Sequence, residues 1–421
     1  MDNLEEIQKL ANICLNCKTR PCVKGCPLNN SIPDFIQAVK QGNIELAYQI
    51  LSKTTVFPAI CGRICPHNKQ CQGNCIRGIK SSPTPIGKIE AFVGDWSIKN
   101  KSQLQKYSKS FNKKIAIIGG GPAGITCAAR LAQKGFLVTI YEKSNKLGGL
   151  LVHGIPDFRL DKKIVEASIQ KIIDLGINIV FNAELGKNIF LNYLCDEYDA
   201  VFLSFGANCC QKMEITGENL TGVFSGNELL ETKNHPSYKN KKVAVIGGGN
   251  VAMDTARTIN HMGVKEVFVL YRRAEKQMPA EPKEIADAKH EGVKFCFQTN
   301  VVQILGDKNE IVNKVECVKT KLVKMEGQER EIPIDIENSN FFLDMDYIVM
   351  AVGSKPEKNV VETLGLKLDK KGYIQIDENY KTSVEKVFAG GDIAKCTSTV
   401  AWASSSGKKA AEKIEEYVCN R

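Results

Sequence analysis

No stretch of this 421-residue chain approaches the ~18 consecutive apolar residues that a membrane-crossing helix requires. The opening MDNLEEIQKL is acidic and amphipathic and lacks a basic region, an apolar core and a cleavage site, so a cytoplasmic protein is expected. Past residue 75 there is no C-x-x-C or C-x4-C pair, and the vicinal Cys209-Cys210 fits neither pattern, which excludes a dithiol redox centre of the usual spacing. Composition has no extremes: 43% apolar and 25% charged residues suit an ordinary globular protein of two or three domains. The basic stretch Lys99 to Lys114 has little aromatic interleaving, so it reads as a linker and not as a nucleic-acid platform. The net charge of +10 fits a lysine-rich solvated surface or attraction for an acidic partner. Neither a membrane nor a nucleic acid is expected as partner.

Cysteine is concentrated at one end. Eight of sixteen cysteines fall in the first 75 residues, where an even scatter would put about three. The first run is Cys14-x2-Cys17-x4-Cys22-x3-Cys26-Pro27, close to the run in which three thiolates hold one 4Fe-4S cube and the fourth reaches another. The second run is Cys61, Cys65, Cys71 and Cys75. Zinc also takes C-x2-C followed by further pairs, but the Cys-Pro endings at Cys26 and Cys65 belong to the cluster run. Disulfides suit a short secreted domain, not a long enzyme-like chain. On spacing alone all eight thiols rank as ligands, and Glu90 reads as a surface carboxylate. Between the runs, Ser31 with Asp34 resembles an N-cap opening a helix over Phe35 to Lys40, Gly42-Asn43 breaks it, and Ile44 to Leu51 resumes.

Two glycine-rich turns follow. Ile115 to Ile118 reads as a buried strand running into Gly119, Gly121, Pro122, Ala123 and Gly124, a G-x-G-x-x-G turn opening a helix through Lys134. A second strand, Leu137 to Tyr141, ends at Glu142, placed to accept ribose hydroxyls. The pattern repeats at Val243 with Gly247, Gly249, Asn250, Val251 and Ala252, a helix to Met262 and a strand Val267 to Tyr271. Here the strand ends in Arg272-Arg273. Guanidinium forks suit a 2′-phosphate, so this site should prefer NADPH to NADH, the alternative being two exposed arginines after a strand. Tyr347 to Gly353 reads as a further strand, and Val387 to Asp392 as another, leading to a helical stretch from Ser398.

The segments CLNCKTRPCVKGCP, FPAICGRICPHNKQCQGNC and PIGKIEAF resemble the N-terminal domain shared by three groups. These are the glutamate synthase small (beta) subunit family, the large subunit of NADH-dependent ferredoxin:NADP oxidoreductase, and the N-terminal half of dihydropyrimidine dehydrogenase. The resemblance implies that Cys14, Cys17, Cys22 and Cys75 hold one 4Fe-4S cluster, that Cys26, Cys65, Cys71 and Glu90 hold a second, and that Cys61 holds neither. The later segments resemble flavoproteins with two dinucleotide-binding domains, which implies FAD at the first glycine turn and NADPH at the second. By that resemblance Glu142, Lys143, Gly149, Leu150, Arg159, Gly391, Asp392, Thr399 and Val400 contact FAD. Gly249, Asn250, Val251, Arg272, Arg273, Ala351 and Gly353 contact NADPH.

The expected fold is therefore α/β, with two Rossmann-like dinucleotide-binding domains, one inserted in the other, after an α-helical ferredoxin-like domain. Expected boundaries are 1–110 for the helical domain, 111–238 and 347–421 for the FAD domain, and 239–346 for the NADPH domain. No side-chain acid, base or nucleophile is expected to dominate catalysis. The resemblance implies an electron-input small subunit passing electrons from NADPH through FAD to the clusters of a glutamate synthase type complex. The alternatives are a free-standing NADPH oxidoreductase reducing ferredoxin, flavodoxin or small molecules, and a non-catalytic zinc and nucleotide scaffold. His67, Lys69 and Arg63 lie among the thiols, where positive charge would raise a cluster potential, the alternative being ordinary solvated surface. Later cysteines such as Cys127, Cys195, Cys296, Cys317, Cys396 and Cys419 are expected mostly as buried small hydrophobes.

Overall fold

The computed structural model describes residues 3–106, 111–324, 331–395 and 399–420; part of the expected linker, Cys396 and Ser398 lie outside them. The N-terminal segment is helical: α1 (Leu4–Asn12), α2 (Pro21–Lys24), α3 (Ile32–Lys40), α4 (Ile44–Ser52), α5 (Pro58–Ile64), a 3-10 turn (Ile76–Ile79) and α6 (Ile86–Lys99). Proline in the first turn opens α2, α3 and α5, where its missing N–H costs nothing. Ser31 is the N-cap residue of α3 but makes no cap bond through its side chain. Arg20 instead binds both Asp34 oxygens, at 2.7 and 2.8 Å. The capping chemistry sits one helix later, where Asn43 Oδ1 accepts from Leu46 N at 3.0 Å. Helices α5 and α6 cross at backbone contact, because a Cβ on Gly62 would collide with Ala91 N and one on Gly94 with Ala59 N.

The first sheet follows: β1 (Lys114–Ile118), α7 (Pro122–Gln133), β2 (Leu137–Tyr141), α8 (Leu150–His153), α9 (Lys162–Ile173), β3 (Asn178–Val180), α10 (Leu191–Glu197) and β4 (Ala200–Leu203). The chain then enters a second unit: β5 (Cys209–Cys210), β6 (Val223–Ser225), α11 (Gly226–Thr232), β7 (Lys242–Ile246), α12 (Asn250–His261), β8 (Glu266–Tyr271), α13 (Pro282–His290) and β9 (Lys294–Phe297). An antiparallel set, β10 (Thr299–Gly306), β11 (Val312–Val323), β12 (Ile332–Asp335) and β13 (Phe341–Asp344), precedes β14 (Tyr347–Met350) and β15 (Ser354–Lys355). The chain returns through α14 (Lys358–Glu362) and β16 (Val387–Ala389) to α15 (Val400–Cys419).

Each unit holds one five-stranded parallel sheet, in the order β16-β4-β1-β2-β3 and β6-β14-β7-β8-β9. The central strands are apolar on both faces, as helices on both sides of a parallel sheet require; Val243, Ala244 and Val245 are wholly buried. The first unit spans residues up to 152, 157–207 and from 356 onward, and the second spans 153–156 and 208–355. The second is wider than the 239–346 expected from sequence. The reason is that β6 and β14 both pair with the sheet of β7, β14 directly and β6 through β14.

Candidate redox centre

The eight N-terminal thiols divide into two sets. Cys14, Cys17, Cys22 and Cys75 line one cavity with Pro21 and Ile86, and all four are half-exposed. Cys75 lies 3.8 Å from Thr84 Oγ1. Burial raises the Cys75 thiol, but the backbone N–H groups of Thr84, Arg77 and Gly78 with the Thr84 hydroxyl outweigh it and hold the thiol below its ordinary value. Burial, reinforced by Cys14, pushes Cys22 up to about 11.

Cys26, Cys65 and Cys71 form the second set around Glu90, which is 4% exposed. Burial and then Glu90 push Cys26 up to about 12, and the same two causes raise Cys71 further. Cys65 is raised first by its hydrogen bond with Cys61 and then by burial. Burial lifts the Glu90 carboxyl well above its usual range. Its side-chain donor is Asn30 Nδ2, at 3.2 Å, and Asn30 is itself held by Thr54 Oγ1 at 2.7 Å. Asn30, Thr54 and Thr84 are orienting residues that the cysteine spacing gave no sign of. Cys61, 2% exposed, packs beside Thr55 and Cys65.

This donor set fits an iron-sulfur core. Three thiols and a carboxyl, all pushed towards protonation by burial and by one another, need a cationic centre to become anionic ligands. Among the described residues no three such side chains close on a single point. A cube spreads its ligands by its own width, so ligands gathered about a cavity, as Cys14, Cys17, Cys22 and Cys75 are, suit one better than ligands closing on a point. Burial lowers the His67 imidazole below its ordinary value. Arg63 is engaged by Asp95 at 2.6 Å.

At the first glycine turn, Gly119 has φ +97 at the end of β1, and a Cβ on Gly124 would collide with Gly119 O. Gly121 faces open space, where a pyrophosphate can approach the start of α7. Glu142, 6% exposed, accepts from Gly120 N at 2.7 Å and from Ser144 N at 2.9 Å, so its carboxylate holds the turn as well as facing it. A Cβ on Gly149 would stand 3.1 Å from Gly121 Cα. Gly391 N donates to Ser406 Oγ at 2.8 Å, and Gly407 of α15 packs on Ala123 without room for a side chain. Pro122, Ala123, Gly149, Gly391 and Gly407 of α15 thus gather about one turn, and Thr399 Oγ1 caps α15 by accepting from Trp402 N. Asp392 follows Gly391 in a 3-10 turn; Lys143 and Leu150 are exposed, and Arg159 and Val400 half-exposed.

The second turn repeats this geometry. Gly247 has φ +143 and abuts Ala351 O, and Gly249 faces open space before Asn250 and Val251. Ala252 is wholly buried. Tyr271 replaces the carboxylate as support: its ring underlies Gly248 and its hydroxyl donates to Gln277 O at 2.9 Å. Arg272 is exposed, and the backbone of both arginines is pinned, Arg272 O by Thr320 Oγ1 at 2.7 Å and Arg273 O by Gln298 N at 3.0 Å. Arg273 Nε is buried without a partner, an orphan donor that fits an anion. Gly353, φ +129, lies just past β14. Of the remaining cysteines, Cys127 and Cys317 are wholly buried, Cys195 and Cys296 half-buried and Cys419 exposed.

Residues 113–410 match the model of the pyridine nucleotide-disulphide oxidoreductase family, and residues 2–102 match that of dihydropyrimidine dehydrogenase domain II with its 4Fe-4S cluster. The chain is 34% identical to the glutamate synthase [NADPH] small chain of Azospirillum brasilense over 98% of this chain and 89% of that one. It is 35% identical to the beta subunit of the NADP(+)-dependent formate dehydrogenase of Moorella thermoacetica, covering 95% of this chain and 60% of that one. Among solved structures, Mycobacterium tuberculosis FprA in complex with NADPH matches with a TM-score of 0.65 and 20% identity, covering 74% of this chain and 85% of that one.

Proposed function

Because the chain belongs to the pyridine nucleotide-disulphide oxidoreductase family, alongside the small chains of glutamate synthase, we propose that it is the electron-input subunit of a larger enzyme. It takes electrons from NADPH and delivers them through FAD and two 4Fe-4S clusters to a separate large subunit. What carries this reading is the sorting of the thiols into two sets interleaved in sequence, Cys75 with the first run and Glu90 with Cys26, Cys65 and Cys71. FAD, when bound, takes two electrons as a hydride and releases them singly, the conversion an iron-sulfur centre needs.

The protein's own residues place and tune these groups. Gly119, Gly121, Gly124, Glu142 and Gly391 would hold the flavin nucleotide, and Gly249, Asn250, Arg272 and Arg273 the NADPH. The N–H groups about Cys75 and the Asn30 to Glu90 bond would set ligand basicity on the two clusters.

Anaerobic purification with metal and sulfide analysis tests the cofactor reading: about eight iron and about eight acid-labile sulfide per chain are expected for two cubes. Zinc without sulfide would refute it. The purified chain should bleach its flavin with NADPH yet make no glutamate from glutamine and 2-oxoglutarate. Unaided synthesis would refute the subunit role.

A further inference from the structure

Leu15, Ile76 and Ile79 are 59%, 38% and 79% exposed, although all three are apolar. Leu15 and Ile76 line the cavity of Cys14, Cys17, Cys22 and Cys75, and Ile79 lies one 3-10 turn from Ile76, on the same face. Single exposed apolar residues need no explanation, but three gathered about one ligand cavity do.

The charge beside them has one sign. Residues 7–33 and 46–89, which carry all eight thiols, contain ten Lys or Arg and no Asp or Glu. Arg20, Arg63 and Lys88 are tied to Asp34, Asp95 and Glu6 from outside those segments. Lys18, Lys24 and Lys80 are exposed, next to or two positions from Cys17, Cys22 and Ile79. An apolar centre whose border carries more lysine and arginine than the paired Asp34 suits a partner of the opposite sign.

The two thiol sets also differ in reach. In the second set Cys26, Cys71 and Glu90 are buried and Cys65 half-buried, and Ser405 Oγ of α15 donates to Pro27 O at 2.8 Å, immediately after Cys26. The half-exposed set is the one that a second protein can approach.

We infer that this face docks an electron-accepting protein whose own redox centre is ringed by acidic residues about an apolar patch. Leu15, Ile76 and Ile79 form the centre of contact, and Lys18, Lys24 and Lys80 its border. Each encounter moves one electron from the NADPH-reduced chain to the partner. The inference rests on the electron-output role given above to the thiol sets.

The test uses the full chain, purified anaerobically, with a purified plant-type 2Fe-2S ferredoxin as the acidic probe. Its Kd is measured by calorimetry at low and high ionic strength for the wild type, for Lys24→Glu with Lys80→Glu, and for Ile79→Ser. Wild-type affinity should fall with salt, and the charge reversal should weaken binding about tenfold or more at low salt and flatten the salt dependence. Ile79→Ser should weaken binding by a similar factor at both ionic strengths. In all variants the iron and sulfide content and flavin bleaching by NADPH should match the wild type. Binding indifferent to salt and to these substitutions, or equal affinity for a basic cytochrome c, would overturn the docking face. Wild-type protein without iron and sulfide would overturn the reading beneath it, and the inference with it.

Discussion

Arg272 and Arg273 stand after β8 where Glu142 stands after β2, so the two nucleotide sites differ in charge at equivalent places. Each charge-assisted hydrogen bond to a phosphate is worth about 1.5–3 kcal/mol. Arg272→Ala with Arg273→Ala should therefore weaken NADPH by roughly a hundredfold or more and leave NADH nearly unchanged, as read by titration of each nucleotide. Equal losses would remove the 2′-phosphate assignment. At the buried thiol set, Glu90 and Cys61 compete for one role. Glu90→Ala should lower iron and sulfide content by about half, Glu90→Gln should restore much of it through its remaining oxygen, and Cys61→Ser should leave it intact. The opposite pattern would make Cys61 the ligand, as spacing alone suggests.

Between elements, the crossing of α5 and α6 sets the geometry of the buried thiol set. Gly62 and Gly94 let the two backbones touch, and that contact brings Glu90 of α6 against Cys65 at the end of α5. A methyl group at Gly62 meets backbone that cannot rotate away. Gly62→Ala should cost about 2 kcal/mol in chemical denaturation and lower the iron content, whereas a substitution at exposed Lys53 should do neither. The two helices after the first cysteine run were legible as periodic apolar segments broken at Gly42-Asn43. Their caps were not: Asn43 caps the second helix through its side chain, whereas at the first Ser31 makes no such bond and Arg20 holds Asp34. That pairing depends on a residue eleven positions before Ser31, which no local cap pattern contains.

At the scale of the whole first unit, a lysine links the helical segment to the nucleotide-binding part. Lys171 of α9 donates to Ser97 Oγ at 2.9 Å and lies 4.2 Å above the Tyr48 ring. Burial lowers its pKa to about 8, with Glu45 opposing. Below about pH 8 the ammonium is charged in both the folded and unfolded chain, and the cost of burying it is fully present. Between about 8 and the unfolded value of about 10.4, the unfolded chain binds a proton that the folded one does not, so stability should rise with pH. Melting temperatures of wild type and Lys171→Met across this range should diverge, the wild type gaining on the variant. Parallel curves would show that the contact does not titrate there.

The two glycine turns, their strands and helices, and the reversal from Glu142 to Arg272-Arg273 were determined by the sequence, because each depends on residues within about thirty positions of one another. The tertiary structure decided the breadth of the second unit, since the pairing of β6 and β14 with the sheet of β7 joins segments far apart in the chain. It also decided the surroundings of the thiols. Asn30 reaches Glu90 across sixty positions, Thr84 meets Cys75, and Ser405 meets Pro27 from the far end of the chain. Local spacing can announce that thiols will bind something. Which carboxylate joins them, and which set stays open to solvent, depends on how helices cross, and that is fixed only when glycine-lined backbones pack.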